Sequence, residues 1–242
     1  MRVEQFRWTR RDGWWPTTPG GLGANAHLVL AFGGTELAKN ARLMEDLRQI
    51  YPAAQFLGCS TAGEILGTQV TDDSLVLTAV QFASTRVTGT AVSILETTDA
   101  FSAGAKLAEA LDPAGLVHVF VLSDGLHVNG SALVAGLSSQ LRPEVTVTGG
   151  LAGDGARFGE TVVAWNGPAA PGCIAAIGFY GAGLRVGYGS LGGWDPFGPE
   201  RLITRSSGNI LYEVDGRSAP PCTRRTSASM RASCPPPACS SR

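Results

Sequence analysis

The run HLVLAFGG (residues 27–34) is the clearest indication of the fold class. A continuous apolar run that ends in two glycines is typical of a strand that is buried on both faces and then turns sharply. The following segment, ELAKNARLMEDLRQIYP (36–52), has apolar side chains at helical spacing, and Pro52 ends the predicted helix. AQFLG (54–58) is the next predicted strand. Strand, helix and strand in this order predict an α/β fold.

The same pattern returns about 90 residues later. LVHVFVLSDG (116–125) is a second apolar run into glycine, and NGSALVAGLSSQL (129–141) is a second helix pattern. A shift of 90 residues lays Leu28–Phe32 on His118–Leu122, and Ala62–Glu64 on Ala152–Asp154. We therefore expect two duplicated β-α-β-β-β halves, at about 25–98 and 115–190. Mixed sheets with outer helices follow from this pattern, arranged as an αββα sandwich; a single mixed sheet flanked by helices is the alternative.

A helix is predicted at AFSAGAKLAEALD (100–112), and strands are predicted at EVTVTGGLAGD (144–154), ETVVAWNG (160–167) and CIAAIGFYG (173–181). Three other strands complete the prediction. DSLVLTAVQF (73–82) and TRVTGTAVSIL (85–95) are expected to be consecutive antiparallel strands, and LRVGYGSL (184–191) alternates as a strand with one less buried face. At the N-terminus, the aromatic side chains of Trp8, Trp14 and Trp15 are expected to pack from a strand onto the core.

Composition excludes several partners. The net charge of −1 and the pI near 6.3 argue against non-specific nucleic-acid binding, which needs a basic surface. No run approaches the roughly 18 apolar residues of a membrane helix, so we expect no membrane partner. The body holds only Cys59 and Cys173, and the N-terminus lacks the apolar segment of a secretory signal, which favours the cytoplasm. The sequence contains no Walker loop, no GxGxxG after a strand and no metal-ligand cluster; we predict neither cofactor nor metal.

Polar loops at strand ends are the candidate binding site. In α/β sheets ligands bind at the carboxyl ends of strands, and here those ends carry hydroxyls and carboxylates suited to a small polar molecule. Carboxylates would hold an ammonium group, while backbone amides would hold a carboxylate. The alternative is that Asp124 and Asn129 merely cap the turn and the helix. The predicted ligand-binding residues are Cys59, Ser60, Thr61, Glu64, Ser123, Asp124, Asn129, Gly150 and Asp154.

An enzyme is the second hypothesis. Cys59 or Thr61 would serve as the nucleophile of an amide hydrolase, with His127 as its base. A catalytic cysteine needs such a base or a positive charge to lower its thiol pKa. No GxSxG motif occurs, which disfavours a serine hydrolase. A third hypothesis is a protein-interaction scaffold, and the high glycine content speaks against it. We assign no catalytic residue.

Four motifs in order resemble the FIST family (F-box and intracellular signal transduction proteins), specifically its N-terminal domain. They are GCSTAGEI (58–65), LSDGLHVNGSALVAGL (122–137), TGGLAGD (148–154) and GGWDPFGPERLITRSSGNILYEVDG (192–216). The resemblance implies a cytoplasmic sensory module over residues 1–217, which binds small ligands such as amino acids and is joined to a signalling output protein or domain. It supplies no catalytic residues.

The end of the chain departs from this pattern. In the family, an apolar helical segment and a C-terminal FIST domain follow the equivalent of Asp215-Gly216; here that domain is missing. Residues 218–242 contain no Val, Ile, Leu or Phe, and include Cys222, Cys234 and Cys239 at a spacing that fits no common zinc site. With almost nothing apolar to bury, this segment is predicted to be disordered. The abrupt change favours a reading-frame shift or a truncated gene product.

Overall fold

The computed structural model describes residues 1–189, 192, 200–208 and 210–219. Within it the chain divides into two compact units, Met1–Tyr188 and the residues from Gly189 onward. The predicted tail falls outside the described residues from position 220. Its first two residues are described: Ser218 ends a strand, and Ala219 is buried. Of the predicted strand 184–191, residues 184–189 have no regular secondary structure, and residues 190 and 191 lie outside the described part.

The first unit is built from twelve described strands and four helices. The helices are α1 (Thr35–Ala38), α2 (Ala41–Ile50), α3 (Ala100–Glu109) and α4 (Gly130–Gln140). The strands are β1 (Arg2–Thr9), β2 (Gly13–Trp15), β3 (Leu28–Gly33), β4 (Gln55–Ser60), β5 (Glu64–Leu66), β6 (Gln69–Thr71), β7 (Ser74–Gln81), β8 (Arg86–Ser93), β9 (Leu116–Ser123), β10 (Thr146–Leu151), β11 (Val163–Trp165) and β12 (Cys173–Tyr180).

Two mixed sheets carry the unit. The first sheet has the order β11-β4-β3-β7-β1-β2, and the second has the order β10-β9-β12-β8. In each sheet one pair is parallel, β3 with β4 and β9 with β10, and the other neighbours are antiparallel. A separate small hairpin is formed by β5 and β6. The prediction of a mixed α/β fold is confirmed, and the alternative of a single sheet is wrong.

Three apolar clusters show how the layers stack. One cluster packs α1 and α2 on the first sheet, with Leu47 and Leu77 fully buried. Another packs α3 and α4 on the second sheet around Leu107 and Leu137. The third lies between the two sheets and joins residues of both, such as Leu57 and Ile177. Because apolar faces are buried between helix and sheet and again between sheet and sheet, the unit is an αββα sandwich.

The helix starts follow the expected capping chemistry. The side chains of Asn40, Asp99 and Asn129 each accept a hydrogen bond from the backbone N–H three residues later, at the starts of α2, α3 and α4. Such side chains satisfy one of the backbone donors that a helix N-terminus leaves free. The helix α2 then buries Leu43 and Leu47, one turn apart, against the first sheet.

The pairing predicted between the strands at 73–82 and 85–95 is wrong. Strand β7 lies in the first sheet, whereas β8 crosses to the second sheet and pairs with β12. The connection FAST (82–85) lacks the glycine or asparagine turn that closes a tight hairpin, so the chain is free to cross between the sheets. Strand β11 crosses in the opposite direction: it lies in sequence between β10 and β12 of the second sheet, but it pairs with β4 in the first sheet.

The second unit contains a three-stranded antiparallel sheet. Its strands are β13 (Ile203–Ser207), β14 (Ile210–Val214) and β15 (Arg217–Ser218), in that order. Asp215 and Gly216 form the turn between β14 and β15, and both have positive φ, at 52° and 71°. Such a turn favours Asn or Asp followed by glycine, which is the DG sequence found here.

Candidate functional site

The predicted polar loops meet at the carboxyl ends of three strands, β4, β9 and β10. The backbone N–H of Gly153 donates to the carbonyl oxygen of Ser60 at 2.9 Å, so the loop after β10 touches the loop after β4. The N–H of Ala152 donates to the carbonyl of Ser123 at 2.7 Å, which links the loop after β9. A Cβ at Gly153 would lie 3.0 Å from the backbone nitrogen of Ala62, so this close approach favours glycine.

Glu64 is buried, and its carboxylate binds its own surroundings. One carboxylate oxygen accepts from the hydroxyl of Thr61 at 2.6 Å. The other accepts from the N–H and the hydroxyl of Ser74, at 3.1 and 2.8 Å. The side chain is 2% exposed. These contacts tie the loop after β4 to the start of β7, and they leave Glu64 little capacity to hold a ligand.

Asp154 joins the loop between β10 and β11 to the start of α1. Its carboxylate accepts from the hydroxyl of Thr35 and from the guanidinium of Arg157, each at 2.6 Å, and from the N–H groups of Gly159 and Glu160 at 2.9 and 3.0 Å. Burial raises the pKa of Asp154, but these hydrogen bonds outweigh it and lower the pKa to about 2. The carboxylate is therefore ionised at neutral pH.

Asp124 organises the loop between β9 and α4. Its side chain accepts from the N–H groups of Leu126, His127 and Gly172, and it also contacts the His127 ring at 3.0 Å. Burial raises the pKa of Asp124, and the backbone hydrogen bonds reverse that effect, so the pKa lies below its ordinary value. The Ser123 hydroxyl donates a hydrogen bond to the backbone carbonyl of Asp124 at 3.1 Å.

Three further predicted residues also have local structural contacts. Cys59 packs in the cluster between the sheets, and burial raises the pKa of its thiol to about 12. The Ser60 hydroxyl is buried and accepts from the N–H of Val162 at 3.0 Å. Asn129 caps α4. Gly150 differs from them, because it is exposed and has open space beside it.

An open cleft lies next to these loops. It has a volume of about 270 Å³, and we name it the arginine cleft. Arg10 in the β1–β2 turn and Arg157 in the loop after β10 supply two positive charges, while Glu36 and Asp73 supply two negative charges. The remaining lining residues are Gly34, Thr35 and Leu37. Through Thr35 and Arg157 the cleft borders directly on Asp154.

The residues of the arginine cleft were not predicted. Arg10 and Arg157 lie far apart in the sequence, and neither belongs to a periodic pattern. Arg157 follows Asp154 closely in the segment GDGAR, so its charge beside a predicted loop was the one available signal. Nothing in the sequence brings Arg10 to the same place. Only the pairing of β1 with β7 carries the β1–β2 turn toward the end of β3.

The sequence profile of the FIST N domain matches residues 27–217. The chain belongs to the FIST N domain family. This is a family of signal-transduction sensory domains. The match covers all four quoted motifs, including the loops that meet beside the arginine cleft of this FIST N domain. No curated protein matches the chain.

Among the residues described in this FIST N domain, no helix is long and apolar enough to cross a membrane. The same residues contain no group of three or more His, Cys, Asp or Glu side chains placed to hold a metal ion.

Proposed function

We propose that this FIST N domain is a non-enzymatic sensory domain that binds a small amino-acid-like ligand in the arginine cleft. The observation that carries the proposal is the composition of that cleft, with Arg10 and Arg157 beside Glu36 and Asp73. We further propose that it works in the cytoplasm and passes its signal to an output protein or domain.

The charges of the cleft match those of a zwitterion. An arginine guanidinium can bind a carboxylate through two parallel hydrogen bonds, and Arg10 and Arg157 both line the cleft. Glu36 and Asp73 are exposed carboxylates that can accept from an ammonium group. A ligand that carries only one of the two charges would leave half of the cleft uncompensated.

Arg157 supports a route from binding to signal. It already pairs with Asp154, whose carboxylate also holds Thr35 and the backbone at 159 and 160. A ligand carboxylate competes for the same guanidinium, so binding changes the contacts of this loop. A ligand drives a signal only through different affinities for two states, and the loop at 154–160 is the element we expect to differ.

The hydrolase hypothesis receives little support. Cys59 is buried, and its thiol pKa of about 12 leaves almost no thiolate at neutral pH. The ring of His127, the proposed base, contacts Asp124, and among the described residues it makes no hydrogen bond to Cys59 or Thr61. The hydroxyl of Thr61 donates to Glu64. We therefore retain the sensory proposal.

A thermal-shift titration with the common amino acids tests the proposal, using the wild-type domain and the Arg10→Gln variant. A bound amino acid should raise the melting temperature with concentration, because stabilisation reaches about 2.7 kcal/mol at a hundredfold excess over Kd. Arg10→Gln removes one guanidinium of the cleft, and we expect at least a tenfold loss of affinity.

Arg11→Gln is the matched control. Arg11 is the next residue, its side chain is 92% exposed, and it contacts Asp12 rather than the cleft. We expect this variant to bind as the wild type does. A flat response to every amino acid, or equal losses in both variants, would refute the proposal.

A further inference from the structure

A second cleft of the first unit lies between the β1–β2 hairpin and α2. It has a volume of about 230 Å³, and we name it the tryptophan cleft. Its walls are mainly apolar: Trp8 and Trp14 line it from β1 and β2, and Leu43, Leu47 and Ile50 line it from α2. Asn40, Arg42 and Asp46 complete the lining. No predicted site residue belongs to this cleft.

The two indole rings are held by their neighbours. Trp8 and Trp14 are direct partners across the antiparallel β1–β2 pair, so their side chains lie side by side on one face. Phe6 meets the ring of Trp14 edge to face, with centroids 6.4 Å apart. On the opposite wall, Leu43 and Leu47 are buried and sit one turn apart. Such walls suit a flat apolar group.

The tryptophan cleft and the arginine cleft are neighbours in the fold. Trp8 of one and Arg10 of the other are two residues apart, a separation of roughly 7 Å along an extended chain. On the opposite side, Leu37 lines the arginine cleft and Asn40 the tryptophan cleft, and the Asn40 N–H donates to the Leu37 carbonyl at 3.0 Å. Both clefts thus lie between the β1–β2 hairpin and the α1–α2 segment.

We infer that the two clefts bind one ligand, an α-amino acid with an aromatic side chain. Its amino and carboxyl groups lie in the arginine cleft, and its ring lies between the indoles and α2. A cavity of about 150 Å³ is enough to hold benzene, so the 230 Å³ of the tryptophan cleft accommodates a single ring. This inference rests on the proposed function and adds the class of side chain.

Binding of L-phenylalanine and L-alanine to the wild-type domain tests the inference. We expect L-phenylalanine to bind at least tenfold more tightly in a calorimetric titration. Trp14→Ala should abolish this preference and leave the affinity for L-alanine unchanged. Trp15→Ala is the matched control, because Trp15 is the next residue, is 54% exposed and lies outside the cleft lining; it should retain the preference.

A second measurement needs no variant. L-phenylalanine does not fluoresce when tryptophan is excited selectively, so its contact with Trp8 and Trp14 should shift the tryptophan emission, whereas L-alanine should not. Equal affinities for the two amino acids, or binding of L-phenylalanine without an emission shift, would overturn the inference and leave the proposed function standing. If no amino acid binds at all, both fail.

Discussion

His118 is a buried histidine whose ring nitrogens both have hydroxyl partners. Its Nδ1 lies 2.7 Å from the hydroxyl of Thr146, and its Nε2 lies 2.9 Å from the hydroxyl of Thr148. Both threonines belong to the neighbouring edge strand β10, and Phe179 packs against the ring at 5.8 Å. Burial lowers the pKa of His118 below its ordinary value of about 6.5.

This shift predicts a loss of stability on mild acidification. Because the folded-state pKa is depressed, the unfolded chain binds the proton more readily. The contribution of His118 is thus fully present above about pH 6.5 and is lost as the pH falls below it. We expect the free energy of unfolding in urea to decline there, by at most about 1.4 kcal/mol per pH unit from this group. The variant His118→Gln should show a shallower decline; identical slopes would contradict the assignment.

Asn129 and Glu64 differ in how well the sequence predicts their structural roles. The cap at Asn129 follows from side-chain chemistry next to a helix pattern, so it was foreseeable. The buried state of Glu64 was not, because its partner Ser74 belongs to strand β7 rather than to the loop itself. A carboxylate in a polar loop looks the same in sequence whether it binds a ligand or its own backbone.

Helices α3 and α4 pack against each other through glycines. A Cβ at Gly104 would overlap the carbonyl oxygen of Leu133, and a Cβ at Gly136 would overlap the carbonyl oxygen of Phe101. The two backbones are therefore in direct contact at this crossing. The helical pattern in the sequence predicted both helices, but it contained no sign of this contact, since glycine inside a helix is otherwise only unfavourable.

Replacing a helical glycine by alanine changes the free energy of unfolding through helix propensity and through packing, and two variants of α4 distinguish these two effects. Gly136→Ala gains about 1 kcal/mol of helix propensity, yet we expect a net destabilisation of about 1–3 kcal/mol because the new methyl group forces the helices apart. Gly130→Ala, in the first turn of the same helix, is the control: its Cβ would lie 3.5 Å from Leu151, an ordinary contact. Urea unfolding measures both, and equal effects would argue against close packing at Gly136.

The sequence predicts where most strands lie, but not which sheet each strand joins. Most strands were predicted near their observed positions, because apolar runs bounded by glycine are a local signal. The sheet that each strand joins depends on contacts between distant segments. The sequence of β8 is compatible with pairing to β7, and only the facing second sheet, where β12 offers a partner, explains its actual place.

The reactivity of the Cys59 thiol depends on the packing of the two sheets against each other, because Cys59 is buried between them. It lies in the inter-sheet cluster with Leu57 and Ile177, and burial alone raises its thiol pKa to about 12. Compared with the ordinary thiol pKa of 9.0, this lowers the thiolate fraction at neutral pH by roughly 1,000-fold. The folded domain should therefore protect this thiol until the sheets separate.

Alkylation with peptide-resolved mass spectrometry checks this expectation. In the folded protein we expect Cys59 to react with iodoacetamide at least about 1,000-fold more slowly than in urea. Cys173 provides an internal comparison, because its side chain is only partly buried. Burial, and to a lesser extent the charge of Asp124, raises the pKa of Cys173 to about 11. We therefore expect Cys173 to react faster than Cys59 in the folded protein. Rapid native labelling of Cys59 would contradict this packing and would revive the hydrolase hypothesis.

We propose that the two sheets descend from one duplicated unit. The central strands run β4-β3-β7 in one sheet and β10-β9-β12 in the other, with the same pattern of one parallel and one antiparallel neighbour. The correspondence is imperfect. Leu28 faces Gln55, while His118 faces Thr146, which is one residue beyond the position that a shift of 90 gives.

The crossing of β8 and β11 ties the two parts of the chain together. A fragment that stopped after β8 would present that strand without its partner β12, and its first sheet would end at β4 with the place of β11 empty. Neither part is therefore a self-sufficient module, whatever their common origin. A change in the relative position of the two sheets, whether through a ligand or a mutation, must strain both exchanged strands together.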